Sequence, residues 1–253
     1  MADVSVPSGD GCATAMVGGH VLQSMVKTMD CGGSAATVAL RRFVAAIISL
    51  STVTITCAAA HASMEMSYVA SAIEAARRYS LDPRVFLAIG WHESHLDPWA
   101  GPPVHKGRPM SSASGMWQIL AAPDTLKDLG LSKADRTNYA RATPAMAQYL
   151  SRQQDRLRQM GIDPTPGRIY MTWNVGPGMA LAIMNSEPSE TIERIANRML
   201  AKYGQQFITK WLHNNPSLYR PGMTAGQIAA NYELQMAKDM RAVDPYLAAG
   251  AAG

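Results

Sequence analysis

Apolar residues recur at helical spacing along most of the chain that follows residue 63. The first such stretch, "SMEMSYVASAIEAARRYSLDP", places four of them on one helical face: Met66, Val69, Ile73 and Ala76. A second helix is predicted from Pro83 to about Ser94, because Pro83 is a start signal and Asp97-Pro98 opposes continuation. The folded part of the chain therefore begins with two consecutive helices.

Later stretches continue this helical pattern and are separated by glycine and proline. We predict helices in "GMWQIL", from near Asp124, and in "TPAMAQYLSRQQDRLRQMG", "SETIERIANRMLAKYG" and "TAGQIAANYELQMAKDM". The segment "TPGRIYMTWNVGPGMALAIMNS" is predicted to form two helical pieces joined at Gly176-Pro177-Gly178. Residues 100–114 read as a long exposed loop with room for a small hairpin. Because no alternating strand, internal repeat or heptad run is present, the predicted fold class is all-α.

A leader precedes these helices. Arg41 and Arg42 stand before an uncharged run at 43–60, and the small-residue triplet Ala60-His61-Ala62 follows. A basic start, an apolar middle and a small-residue cleavage site are typical of a secretory signal, so we interpret 1–62 as a leader cut after Ala62. A periplasmic or secreted protein is then expected. The alternative is an uncleaved membrane anchor through 43–60, which is near the lower length limit for a spanning helix.

Composition and charge narrow the class of protein. All three cysteines, Cys12, Cys31 and Cys57, precede the predicted cut, so the mature core forms without disulfides. The formal net charge of +4 favours anionic polymers, and an exported protein meets cell wall or membrane rather than nucleic acid. We expect a monomer with one folded domain at 63–243, and a disordered Ala/Gly tail at 244–253.

The candidate chemistry lies in "GWHESHLDPWA", residues 90–100. Glu93 stands there among tryptophans and histidines without a nearby lysine or arginine, and four apolar residues precede it. Burial against aromatic side chains raises the pKa of a carboxyl toward neutrality, and such an acid is suited to general acid catalysis. The simpler interpretation is a solvated glutamate at a helix end.

The neighbouring histidines do not have the spacing of a zinc site. His92 and His95 are three residues apart, whereas the zinc-protease helix needs them four apart. The predicted mature chain contains only two others, His105 and His213. We therefore expect no metal and no cofactor.

Three segments in register resemble the lytic transglycosylase family with the goose-type-lysozyme-like catalytic domain. They are Glu93-Ser94 after an apolar helix, "SGMWQI" at 114–119 and "TWNVG" at 172–176, within a resemblance that covers about 66–215. The resemblance implies a lysozyme-like helical domain with an active-site cleft. "DPTPGRIYMTWNVGPGMALAIM" further resembles versions from phage particles and from conjugation or secretion systems, which implies such an apparatus as a partner.

The resemblance also implies a reaction on peptidoglycan glycan strands. The β-1,4 bond between N-acetylmuramic acid and N-acetylglucosamine is cleaved, and a 1,6-anhydromuramic end is left. Glu93 matches the glutamate that protonates the glycosidic oxygen and then takes the proton of the muramoyl C6 hydroxyl. Ordinary glycosidases need two carboxylates. Asp97 is interpreted as a turn residue and Asp124 as a helix N-cap, so neither is a persuasive partner.

Other residues of this chain match motif positions of the family, and the resemblance implies that they contact substrate. Ser94 would orient the glutamate, and Gln118 would bind an N-acetyl group. Gly115 permits close approach of sugar or serves a turn. Met116 and Trp117 form an apolar pair in which the indole offers a flat face to a pyranose, or else belongs to the core.

The last motif departs from the family. Trp173 stands where the family has tyrosine, and an indole N–H donates a hydrogen bond but cannot accept one. Tyr170, one turn earlier, is the candidate for the missing hydroxyl, or is buried for packing. Asn174 orients the site or caps the helix. The substitution supports an alternative function as a catalytically weak or inactive wall-binding scaffold, against which Glu93 argues.

Overall fold

The computed structural model describes residues 67–102, 104–105, 107–109, 111–203 and 219–250. These residues belong to one unit, Glu65–Gly253. The predicted leader lies outside the described residues. Within the described ranges, no helix combines the length and apolar character needed to cross a membrane.

The first two helices follow the predicted pattern. Helix α1 spans residues 67–78, and α2 spans Pro83–Ser94. The Asp82 carboxylate accepts a hydrogen bond from the Arg84 N–H at 2.8 Å, which caps the start of α2. At the other end, His95 adopts the left-handed conformation with φ 56°. Both predicted bounds of α2 are confirmed.

The remaining elements follow in chain order. They are β1 (Val104–His105), β2 (Arg108–Pro109), α3 (Pro123–Leu129), a 3-10 helix (Ala134–Thr137), α4 (Tyr139–Gln159), α5 (Pro166–Asn174), α6 (Gly176–Met184), α7 (Ile192–Tyr203) and α8 (Ala225–Gly250). Strands β1 and β2 pair antiparallel, with Val104 opposite Pro109. The all-α class is confirmed, and the predicted loop contains this two-residue hairpin.

Two local predictions between 114 and 130 are wrong. The segment "GMWQIL" is a turn closed by a bridge between Ser114 and Ile119, because Gly115 and Gln118 have φ of +77° and +46°, which a right-handed helix does not accept. The N-cap of α3 is Ala122 rather than Asp124. Asp124 lies instead in the first turn, where its charge complements the helix dipole.

Helix α4 begins earlier than its sequence indicated. The prediction started at the Thr143-Pro144 pair, but the helix starts at Tyr139 and contains Pro144 in its second turn. A proline there removes one backbone hydrogen bond. The apolar face of α4, which includes Met146 and Leu150, is fully buried and offsets that loss.

The predicted disordered tail is also wrong for residues 244–250, which belong to α8. Val243 is fully buried, and the Arg84 guanidinium on α2 forms an ion pair with Asp244 at 2.7 Å. The Tyr246 ring lies 6.0 Å from that of Trp91. Packing against α2 therefore keeps the helix intact through Pro245.

Helix α8 packs most extensively against α2 and α5. The Glu233 carboxylate accepts hydrogen bonds from the Thr165 hydroxyl and the Gly167 N–H at the start of α5, where helix dipole and anion attract. A Cβ on Gly167 would lie 2.6 Å from the Glu233 carboxyl carbon, so only glycine allows this approach. Helix α8 thus fixes the position of α5, and the two helices together surround the end of α2.

Candidate active site

Glu93 lies half-buried in the last turn of α2. Its carboxylate accepts hydrogen bonds from the Tyr170 hydroxyl and the Trp173 indole N–H. Both donors stand on α5, three residues apart, and therefore on one face of that helix. The Trp173 ring is held edge-on by Tyr149, with centroids 5.7 Å apart. The predicted catalytic residue and two predicted contact residues are thus brought together.

Burial raises the pKa of Glu93 from its ordinary value of 4.5 to about 7. The charge of His92 lowers the pKa of Glu93 and is the largest effect that opposes burial. The hydrogen bonds from Tyr170 and Trp173 lower this pKa by smaller amounts. At neutral pH the carboxyl is therefore present in both its acid and its carboxylate form. A group in that condition can give a proton and take one back.

Tyr170 is a permanent donor to this carboxyl. The side chain is 1% exposed, and burial together with the negative charge of Glu93 raises its pKa well above the usual value. Its oxygen accepts a hydrogen bond from the Asn174 amide nitrogen at 3.3 Å. The Asn174 amide oxygen in turn accepts one from the Tyr232 hydroxyl at 2.7 Å. The hydroxyl that faces Glu93 is therefore oriented from α8.

A second connection to α8 runs through His92. Its Nδ1 lies 2.8 Å from a carboxylate oxygen of Asp239, which also accepts a hydrogen bond from the Gln235 amide at 2.9 Å. Asp239 is 4% exposed. The His92 ring packs against Tyr170, with centroids 4.9 Å apart. His95 points elsewhere, onto Trp91, so the two histidines do not converge.

Ser94 joins α2 to the turn at 115–118. Its hydroxyl lies 2.8 Å from the Met116 carbonyl oxygen and 3.3 Å from the Gly90 carbonyl oxygen, and it donates to these backbone acceptors. This contact fixes the end of the helix that carries Glu93. The structure thus gives Ser94 an orienting position.

Three predicted substrate contacts within this turn are corrected. Met116 is 2% exposed and Trp117 is fully buried, so neither presents a surface to a glycan. The Trp117 ring stacks on Phe86 with centroids 4.2 Å apart and belongs to the core. Gly115 is also buried, and a Cβ there would lie 2.0 Å from the Arg136 carbonyl oxygen. The glycine accommodates protein backbone rather than sugar.

Gln118 is the partly exposed residue of that turn. Its amide nitrogen donates to the carbonyl oxygens of Gly115 at 3.1 Å and Ala100 at 3.4 Å. Because both neighbours are acceptors, the nitrogen must face them, and the amide oxygen stays turned toward other groups. The side-chain oxygen of Gln118 is thereby oriented to accept a hydrogen bond from an N–H group.

Comparison with known proteins agrees with this geometry. A model of the transglycosylase SLT domain matches residues 70–196, half of the chain. The chain belongs to the SLT domain family. This membership makes the protein a lytic transglycosylase-type enzyme with a lysozyme-like domain and peptidoglycan as substrate. No curated protein and no solved structure matches the chain.

The SLT domain match ends before α8, whose polar residues sequence reasoning missed. Tyr232 and Asp239 reach the surroundings of Glu93 from that helix. The available signal was a stripe of polar positions, Tyr232, Gln235 and Asp239, inside an apolar helix at spacings of three and four residues. A buried carboxylate in such a stripe is costly unless another group pairs with it, so its presence indicates a partner on a neighbouring element.

Two other carboxylates, Asp97 and Asp239, have different surroundings from Glu93. Asp97 is exposed and accepts a hydrogen bond from the Trp99 N–H at 2.8 Å, as predicted for a turn residue. Asp239 is buried behind His92. Within the part of the chain that the structure describes, no three His, Cys, Asp or Glu side chains are grouped as metal ligands would be.

Proposed function

We propose that this protein cleaves the β-1,4 bond between N-acetylmuramic acid and N-acetylglucosamine and forms a 1,6-anhydromuramic end. Glu93 serves first as general acid and then as general base. The observation that carries the proposal is the half-buried Glu93 carboxyl, with a pKa of about 7 and two hydrogen-bond donors directed at it.

The two stages need opposite forms of the same carboxyl. The protonated form gives its proton to the glycosidic oxygen while the bond from that oxygen to muramoyl C1 breaks. The carboxylate that remains is stabilised by the hydrogen bonds of Tyr170 and Trp173. The muramoyl C6 oxygen then bonds to C1, its proton passes to Glu93, and the acid is restored.

The arrangement of carboxylates supports a lyase over a hydrolase. An inverting hydrolase needs a second carboxylate that activates water, and a retaining one needs a carboxylate nucleophile. Asp239 is buried and bonded to His92 and Gln235, so it cannot reach a sugar or its water. Asp97 is committed to the turn after α2. Intramolecular attack by the C6 hydroxyl removes the need for either.

Trp173 was the argument for an inactive scaffold, and its position weakens that alternative. The indole N–H donates to Glu93, so the substituted side chain still contacts the carboxyl. Tyr170 provides a hydroxyl on the same helix face. Together the two side chains supply the hydrogen bonds to Glu93 that a tyrosine at position 173 would give. We therefore propose an active enzyme rather than an inactive scaffold.

Gln118 is proposed to recognise the acetamido group of the glycan. Its amide oxygen can accept the acetamido N–H, because its amide nitrogen is held by backbone carbonyls. Trp99, next in the chain to one of those carbonyls, has a side chain that is 55% exposed and offers an aromatic face to a sugar ring. Asn174 acts behind the glutamate, as a support for Tyr170.

Product analysis on purified sacculi tests the proposed reaction. Mass spectrometry should find anhydromuropeptides after digestion by the wild-type protein. Glu93→Gln should lose about 10²- to 10⁴-fold in rate, because glutamine cannot give or take the proton. Glu74→Gln is the matched control, since Glu74 is exposed on the surface of α1 and forms an ion pair with Arg78.

The outcomes separate the candidate functions. Reducing-end muropeptides would identify a hydrolase and overturn the lyase. Binding of sacculi with no product release that depends on Glu93 would identify the scaffold. If Glu93→Gln failed to fold while Glu74→Gln folded, Glu93 would be structural.

We also propose that the enzyme acts after export, which the basic pair, the uncharged run and the cleavage triplet support. Mass spectrometry of the mature protein should find Ser63 as the first residue. An intact 43–60 segment in the mature protein would favour the anchored alternative. Recruitment to a phage, conjugation or secretion apparatus stays a prediction from motif resemblance, as does the monomeric state.

A further inference from the structure

The pair formed by His92 and Asp239 is not used in the reaction proposed above. The two residues are 147 positions apart in the sequence, yet Nδ1 of the ring and the carboxylate oxygen are 2.8 Å apart. The carboxylate is almost completely buried and accepts a second hydrogen bond from Gln235. A buried charged group is costly unless it is paired, so the contact is a specific feature of the site.

The pair is directly next to the reacting carboxyl. His92 precedes Glu93 on α2, and its ring lies 4.9 Å from the ring of Tyr170, the hydroxyl donor to Glu93. Its position is fixed on three sides, by the helix, by Tyr170 and by Asp239. A ring held this way has a fixed place beside the residue that donates to Glu93.

We propose that His92, held by Asp239, is a positioning residue that sets the proton affinity of Glu93 and hence the pH range of the enzyme. The proposal rests on the proposed function, because it assigns regulation to the same carboxyl. Its physical basis is the positive charge of a protonated imidazole, which favours the carboxylate form of a neighbouring acid.

Several titratable groups face this pair from the elements packed around it. Glu93 lies on α2 itself, Tyr170 on α5 and Asp239 on α8. Tyr219, before α8, interacts with Tyr170. Of these groups, His92 is the one whose positive charge opposes the effect of burial on Glu93, and it is the largest of the opposing causes.

When the imidazole is removed, only the hydrogen bonds from Tyr170 and Trp173 still oppose the effect of burial on the pKa of Glu93. His92→Gln keeps a polar side chain toward Asp239 but carries no charge. We expect the pKa of Glu93 to rise by about one unit in this variant. Since the acid form is the one that begins the reaction, the fall of kcat/KM at high pH should move upward by the same amount.

The test uses the full mature protein and two readouts. Carbon-13 NMR of labelled glutamate side chains follows the Glu93 carboxyl through pH, with Glu93→Gln identifying its resonance. The pH profile of kcat/KM is measured on purified glycan strands. His92→Lys, whose charge persists at neutral pH, should bring both midpoints back to or below those of the wild type.

Arg84→Gln is the matched control. It breaks the other ion pair between α2 and α8, Arg84 with Asp244, at the far end of α2. It should lower Tm and leave both midpoints unchanged. If His92→Gln lowers Tm in the same way with an unmoved Glu93 midpoint, the histidine is structural and the inference is overturned. The NMR midpoint gives this answer even for a protein that releases no anhydromuropeptide, so the two proposals fail separately.

Discussion

Two segments with family motifs lie on either side of Glu93, and they serve different purposes. On α5, Tyr170 and Trp173 donate hydrogen bonds to the Glu93 carboxyl. In the turn at 115–118, Met116 and Trp117 are core residues. A motif match therefore locates a functional region, whereas burial and hydrogen bonding decide which of its side chains can take part in chemistry.

The turn acts by positioning α2. The Trp117 indole N–H donates to the Thr143 hydroxyl at 3.2 Å, so the turn is anchored to α4. The Met116 carbonyl accepts a hydrogen bond from Ser94, next to Glu93. We therefore expect changes in the turn to affect stability first, and changes on α5 to affect proton transfer first.

Gly115→Ala should cause the largest effect on the side of the turn. An added Cβ would lie 2.0 Å from the Arg136 carbonyl oxygen, and φ of +77° disfavours any L side chain. The expected loss is about 3–5 kcal/mol in the free energy of unfolding, measured by urea denaturation. Gly130→Ala is the control, because Gly130 has a similar φ of +64° with no neighbour within 4 Å. Equal losses in both variants would show that the Arg136 contact is unimportant.

Glu93→Gln should stabilise the protein at alkaline pH. The pKa of Glu93 is raised from 4.5 to about 7 by folding, so the folded state holds the proton more tightly between these values. Wild-type stability therefore falls as pH rises from 4.5 to 7, by up to about 3 kcal/mol. The glutamine variant lacks this loss and should be the more stable protein at pH 8, with equal stability near pH 4. Identical unfolding curves at pH 8 would mean that water reaches the carboxyl freely.

Tyr170→Phe should have the smallest of these effects and should act on catalysis. The variant keeps the packed ring but removes the hydroxyl that stabilises the Glu93 carboxylate. Loss of a hydrogen bond to a charged group corresponds to about 10- to 100-fold in kcat/KM. Tyr79→Phe, near the opposite end of α2, removes a hydroxyl away from the site and should keep normal kinetics. Unchanged kinetics in Tyr170→Phe would leave Trp173 as the sole important donor.

Local signals in the sequence predicted the helix that carries the glutamate. Asp82 and Pro83 define its start, and the left-handed residue His95 follows its predicted end. These are short-range effects of capping and proline geometry. Partial burial of Glu93 followed from the apolar residues before it, so the identity of the candidate acid could also be predicted.

Contacts between distant segments could not be predicted in the same way. The register of α8 against α2 decides that Asp239 meets His92 and that Tyr232 meets Asn174. The same packing preserves the helix through Pro245, where composition indicated disorder. The role of Gly115 depends on the approach of the Arg136 carbonyl, which no local pattern records.

The late position of Asp239 in the chain also has a consequence for synthesis. A ribosome makes α2, the turn and α5 long before it reaches that aspartate, so a nascent chain contains the glutamate without its complete set of neighbours. The contacts that α8 makes beside this acid, from Asp239 to His92 and from Tyr232 to Asn174, form only when α8 has docked. Docking of α8 is therefore a step in the maturation of the site.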